Sequence, residues 1–116
     1  MAAGTYNFTL EQGTTFVRDF IYKDGNGAVV NLTGYSARMQ FREFKSSDVK
    51  LLEATTANGK LVIAGSLGKI TLTLTPTDTN PIDFAEAVYD LELESASGIV
   101  TRLLQGTVTF DKQVTR

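Results

Sequence analysis

Apolar and polar residues alternate with a period of two through most of this chain. Tyr6, Phe8 and Leu10 alternate with Thr5, Asn7 and Thr9. Tyr35, Ala37, Met39 and Phe41 alternate with Ser36, Arg38, Gln40 and Arg42. The same pattern sets Ile70, Leu72 and Leu74 against threonines, and Tyr89, Leu91 and Leu93 against Asp90, Glu92 and Glu94. Successive side chains of a strand point to opposite faces, so each run predicts a strand with one face in a core and one in water. The β-branched and aromatic content of these runs agrees. A strand at about 14 to 23 is less regular. Phe16, Phe20 and Tyr22 share a face with Arg18, while Val17 and Ile21 lie opposite. Either both faces are partly buried there, or Gly13 introduces a bulge.

Turn signals punctuate the runs: Asp24-Gly25-Asn26-Gly27, Asn58-Gly59, Gly65 to Gly68, and Ser95-Ala96-Ser97-Gly98, which joins a last hairpin. Glycine and asparagine tolerate the positive φ of tight turns. The segment from Thr75 to Phe84 holds both prolines and breaks the alternation. It predicts a crossover between two sheets with one helical turn, capped by Asp78 or Thr77. Roughly seven to nine short strands at spacings of about 8 to 12 residues predict an all-β fold, an immunoglobulin-like antiparallel β-sandwich. A closed barrel is the alternative. Tyr89 precedes Leu91 by two residues, as a corner tyrosine precedes a buried cysteine in immunoglobulin-like folds; a plain core role is the preferred reading.

Length and composition bound the function. The 116 residues suit one domain, 1–116, with a core large enough to need no covalent staple. Hydrophobic residues make up 42% and charged residues 21%, as in ordinary globular domains. A net charge of −2 argues against a generic grip on nucleic acid, which requires a basic surface. Cysteine and histidine are absent, which removes Ser-His-Asp and Cys-His catalysis and thiolate or imidazole metal sites. Met1-Ala2-Ala3-Gly4 lacks the basic and apolar runs of a signal peptide, and no stretch has the ~20 apolar residues of a membrane helix. A protein made in the cytoplasm is the expectation, with no membrane partner.

The remaining candidates for chemistry are weak. Gly65-Ser66-Leu67-Gly68-Lys69 has part of a phosphate-loop pattern, but Ile70 stands where Ser or Thr is needed and a strand follows, so a hairpin turn is expected. Asp24-Gly25-Asn26-Gly27 offers two calcium-loop oxygens without the later ligands, so a plain turn is expected. Asp90, Glu92 and Glu94 form an acidic row, read as a solvated face that could also meet a cation or basic partner. Arg38 and Arg42, with Gln40 between them, form a basic row. The two rows are expected to pair across neighbouring strands or to be solvated; pairing across a subunit boundary is the alternative. Asn7-Phe8-Thr9 and Asn31-Leu32-Thr33 match the glycosylation sequon, which means nothing without secretion. No catalytic, cofactor-binding or metal-ligating residue is assigned, and no cofactor is expected.

Three stretches taken together resemble a known group: Tyr22 to Arg42, with its Asp24-Gly25 turn and Leu32-Thr33-Gly34-Tyr35 step; Ala87 to Leu93, with Tyr89-Asp90-Leu91-Glu92; and Gly106 to Phe110, with Val114-Thr115-Arg116 closing the chain. They resemble small virion structural proteins of tailed bacteriophages. More distantly, they resemble the N-terminal domains of phage baseplate upper proteins, which anchor receptor-binding proteins. In that group a final strand follows a glycine. The step residues Leu32 and Tyr35 are expected to enter the core. The resemblance implies a virion component of the tail, baseplate or neck. Its partners would be other phage structural proteins, and it would be a homo-oligomer or a ring-docked subunit. No fibre segment follows Arg116, so contacts would come from the sandwich itself, with Val29-Val30 and Ile82 to Phe84 as candidates for contact or for core. A binding module for a host-surface glycan or protein is the alternative, weakened by the absence of Trp and by mostly inward aromatics. An enzyme is not expected.

Overall fold

A computed structural model describes residues 4–82 and 85–114. Nine strands and one helical turn follow in order. They are β1 (Gly4–Thr5), β2 (Phe8–Glu11), β3 (Phe16–Ile21), β4 (Ser36–Arg42), β5 (Leu52–Thr55), β6 (Leu61–Ala64), β7 (Lys69–Leu74), α1 (Pro76–Thr79), β8 (Glu86–Glu94) and β9 (Val100–Asp111). They build two packed sheets and no closed barrel. The larger runs β1-β9-β8-β4-β5, with β2 also on β9, and the smaller runs β3-β7-β6. β9, β8, β4 and β5 take the places of immunoglobulin strands G, F, C and C′, and β3, β7 and β6 those of B, E and D. The protein is therefore an immunoglobulin-like β-sandwich. Its pairing is antiparallel apart from two ladders. β1 and β2 run parallel to β9, from Gly4 beside Leu104 to Glu11 beside Asp111.

The alternating rows account for the core. Leu10, Met39, Phe41, Ile70, Leu72, Leu74, Leu91 and Leu93 are fully buried, and one connected cluster fills the space between the sheets. Phe8 is its aromatic hub. Its ring stacks on Tyr6 and Phe16 and meets Phe41 and Tyr89 edge-on, with centroids 5.1–6.3 Å apart. Tyr89 is a core residue in the middle of β8. Its hydroxyl donates across the sheet to the Tyr6 carbonyl at 2.5 Å, and burial pushes its pKa upward.

That carbonyl lies where the N-terminal chain crosses Gly106. A Cβ on residue 106 would collide with the Tyr6 carbonyl and sit 2.7 Å from Asn7 Oδ1. The same Asn7 oxygen accepts the Thr107 N–H at 2.9 Å, and the Tyr6 N–H donates to the Gln105 carbonyl at 3.0 Å. Gly106 thus sits inside β9, as the point of closest backbone approach. In the resembled phage group the glycine precedes the last strand.

The irregular strand resolves simply. β3 pairs with β7 without interruption from Phe16–Leu74 to Ile21–Lys69, so it contains no bulge. Gly13, with φ +78°, lies instead in the turn that carries the chain from β2 to the other sheet. Val17 and Ile21 are 58% and 55% exposed, so only one face of β3 is buried. Leu32 is fully buried, while Tyr35 is half-buried and packs against the core. Ile82 is core and Val29 is 44% exposed; residues 83 and 84 lie outside the described residues.

The Pro-containing segment is the crossover from β7 to β8. Thr75 is its N-cap, in place of the expected Asp78 or Thr77. Asp78 is the third helical residue, and its carboxylate accepts the Thr75 N–H at 2.9 Å, completing a capping box. Pro76 holds the first helical position, which places the cap one residue before it. Burial opposes ionisation of Asp78. The Lys60 ammonium at 2.9 Å and the bonds from Thr75 outweigh it and hold the carboxyl below its ordinary range. Thr79 is fully buried. Its hydroxyl donates to the Thr14 carbonyl at 2.9 Å and accepts the Gly13 N–H at 3.1 Å, locking the crossover to the β2–β3 turn.

Gly106→Ala is expected to lose about 2–3 kcal/mol by forcing the N-terminal chain off β9. Gly25→Ala, where a Cβ meets open space, should stay within about 0.5 kcal/mol. Urea unfolding of both variants measures the contrast. Thr79→Val strands a backbone donor and an acceptor, and should cost about 2–3 kcal/mol in the same assay.

Candidate functional site

The outer face of the larger sheet carries the charges. β4 directs Arg38, Gln40 and Arg42 outward, and β8 directs Val88, Asp90, Glu92 and Glu94 outward, because their neighbours in sequence fill the core. Antiparallel register sets Arg38 opposite Glu92, Gln40 opposite Asp90 and Arg42 opposite Val88. Arg38 Nε bonds Glu92 Oε1 at 2.9 Å. The basic and acidic rows therefore meet across neighbouring strands of one chain. Gln40 donates to Glu53 at 2.7 Å on the far side, and that bond, aided by Lys50, holds the Glu53 carboxyl below its usual range. Arg42 gives its guanidinium to neutral acceptors, the Ser47 carbonyl at 2.7 Å and Gln40 Oε1 at 2.9 Å.

A third cation completes this face, and the alternation rule does not foresee it. In β9 the register against β8 jumps, so that Leu91 faces Leu104 while Glu92 faces Arg102. Leu103 is the extra residue of a β-bulge. Both Leu103 and Leu104 pack against the core, and the phase of the strand changes between them. Arg102 consequently lies on the outer face, with Nε 3.4 Å from Asp90 Oδ2. The doubled leucine in Arg102-Leu103-Leu104-Gln105 is the signal that marks the bulge in the sequence.

These side chains surround an open recess of about 340 Å³, lined also by Lys45, Val88 and Gln105. Asp90 lies in it. Burial, then the adjacent Glu92 charge, pushes its carboxyl above the usual range against the opposing pull of Arg102, Lys45 and Arg38. The two carboxylates here, Asp90 and Glu92, are matched with cations on neighbouring strands. Elsewhere, Gly65–Leu67 forms a 3-10 turn closed by Gly68 at φ +59°, joining β6 to β7 as a hairpin. Asp24 Oδ1 accepts the N–H groups of Asn26 and Ala28 at 2.8 and 3.0 Å, which makes its segment a side-chain-stabilised turn. Among the described residues, no three acidic side chains converge as a metal site, and no helix is long and apolar enough to cross a membrane.

The smaller sheet has a different outer face. Val17 and Ile21 of β3 and Val62 of β6 stand outward, each more than half exposed, among Thr71, Thr73 and Asp19. The sequence placed Val17 and Ile21 on one face but left open whether that face was covered.

Fold and surface together define an immunoglobulin-like sandwich with one charge-paired face and one β-branched apolar face. No protein-family model matches the chain, and no curated protein matches it. Among solved structures it is similar to extracellular domains 3–5 of Drosophila OTK, at 12% identity and a TM-score of 0.39, over 95% of this chain. The chain spans 33% of that structure's length.

Asp90 supplies a pH test. A carboxyl raised in the folded state gives stability that is fully present below its unfolded pKa and lost as pH rises through the folded value. Asp90→Asn removes that loss. The variant should equal or exceed wild type in stability at pH 7, and the difference should shrink as pH falls below the ordinary aspartate range. Urea melts from pH 7 downward measure this. A variant less stable at pH 7, with the gap closing on acidification, would show the Arg102 pair dominating instead.

Proposed function

We propose that this protein is a non-enzymatic structural component of a tailed-phage virion, assembling at the tail, baseplate or neck through protein–protein contacts. The observation that carries the assembly reading is the smaller sheet. Among the described residues both its edges lack a strand partner, and Val17, Ile21 and Val62 stand exposed on its outer face. Unpaired edges and exposed β-branched side chains are features that strand addition or sheet docking covers. The phage assignment itself rests on the resemblance of the three stretches, and its partners would be other virion proteins or further copies of the chain.

The charged face supports contact rather than catalysis. Three of its acids, Glu92, Asp90 and Glu53, are matched to Arg38, Arg102 and Lys50 at 2.9–3.4 Å, and its recess is open. A sugar-binding platform needs exposed rings. Here Tyr6, Phe8, Phe16, Phe20, Phe41 and Tyr89 pack on one another, and among the described residues the single exposed ring, Phe44, makes no platform, which favours the structural reading over the glycan-binding one.

Mass spectrometry of purified particles of a phage encoding this chain is expected to find it at a fixed stoichiometry to the tail proteins. Its presence in infected-cell lysate but not in denatured, purified particles would overturn the proposal.

A further inference from the structure

The smaller sheet ends in β3 on one side and β6 on the other, and among the described residues neither pairs with a strand beyond. Each is antiparallel to β7 between them, so β3 and β6 run in the same direction. A rotation about an axis along the strands, combined with a shift along it, would bring β3 of one copy beside β6 of the next as a parallel pair, continuing the sheet. The outward residues of β3 are Val17, Asp19 and Ile21. Those of β6 and the residue before it are Lys60, Val62 and Ala64.

We infer that the occupant of this edge is a second copy of the chain, joined head to tail by β6 of one copy and β3 of the next. The register sets Lys60 beside Asp19 and Val62 beside Ile21. This deepens the assembly reading above and shares its premise that the chain acts by self-association or docking. Charge and face select the register. Moving it by two residues places Lys60 beside Val17 and Asp19 beside Val62, which sets each charge against a valine. Moving it by one turns the apolar row of one copy toward the core of the other. In the chosen register Leu61 also meets Phe20, and Ile63 meets Tyr22, extending the inner layer from copy to copy.

Both charged groups have capacity left for this contact. Asp19 accepts the Thr71 hydroxyl through Oδ1 at 2.7 Å, and a carboxylate has a second oxygen. Lys60 meets Asp78 at 2.9 Å with one of three ammonium donors. Symmetric pairing of β3 with itself is disfavoured. Centred on residue 19 it sets Asp19 against Asp19, and centred on residue 18 it sets Arg18 against Arg18. The contact is therefore heterologous. Within one copy Val62 lies level with Asp19 through Thr71, so setting Val62 beside Ile21 of the next copy shifts each copy by two residues along the strands, and repeated use extends a filament.

The chain has no cysteine, so engineered pairs report contacts cleanly. Within one copy, residues 21 and 62 lie two strands apart and two residues out of level, ~12 Å, beyond the ~7 Å Cα limit for a disulfide. The full chain carrying Ile21→Cys and Val62→Cys, purified and mildly oxidised, should give a ladder of disulfide-linked multimers. Val17→Cys with Val62→Cys should give little, because Val17 lies away from Val62 in the parallel register. Adding Asp19→Lys to the first pair should cut the ladder about fivefold or more, since like charges then adjoin. Circular dichroism confirms that each variant is folded. Three results would overturn the inference: a folded Ile21/Val62 variant that stays monomeric, an equal ladder from the Val17 pair, or a ladder indifferent to Asp19→Lys. The virion proposal fails separately, by absence of the chain from particles, whatever the ladder shows.

Discussion

The larger sheet depends on the contact between the N-terminal chain and β9 at Gly106. Two β-strands can approach closely only where no side chain intervenes, and Gly106 provides that opening for the Tyr6 carbonyl. The Tyr89 hydroxyl then clamps the same carbonyl from β8, so one acceptor ties three strands together. Tyr6 and Phe8, carried in by this contact, complete the aromatic cluster around Phe41 and Tyr89. A parallel pair between the first and last strands closes the longest possible loop in the chain. Its entropy cost grows only slowly with length, but it must be met by contacts as dense as these.

The second sheet is tied to the first by polar bonds as well as by the core. Thr79 binds the β2–β3 turn, and Gln12 reaches the Asn80 and Ile82 carbonyls at 2.9 and 2.8 Å. Both connections that these groups fasten pass between the sheets. Buried backbone groups in a crossover have no ladder to satisfy them, and side chains of this length supply the missing partners. The exposed ion pairs of the outer face are a different matter. Pairs such as Arg38–Glu92 each contribute only about 0–1 kcal/mol, so their main effect is to favour one strand register over its neighbours.

The two sheets consequently offer different surfaces. The larger carries the ion pairs Arg38–Glu92 and Arg102–Asp90 beside an open recess. The smaller has three strands, two open edges and exposed valine and isoleucine side chains. In this sandwich the N-terminal strands pair with β9, which leaves β3 without a neighbour on its outer side.

Much of the fold was legible in the chain. The alternating rows at 6–10, 35–41, 70–74 and 89–93 all fill the core, because which way a strand residue points is a local, period-two property. The turns at Asp24, Gly65 and Ser95 were legible for the same reason, since their chemistry lies within a few residues. The absence of cysteine and histidine set the limits on chemistry without any structure. What tertiary structure alone decided is which strands meet. The parallel approach of β1 and β2 to β9, the need for Gly106, and the open edges of β3 and β6 depend on partners up to about a hundred residues away, where no local pattern reaches. Arg102 shows both sides. The doubled leucine beside it breaks the alternation in plain view, but only pairing against β8 determines that the break turns a cation toward Asp90.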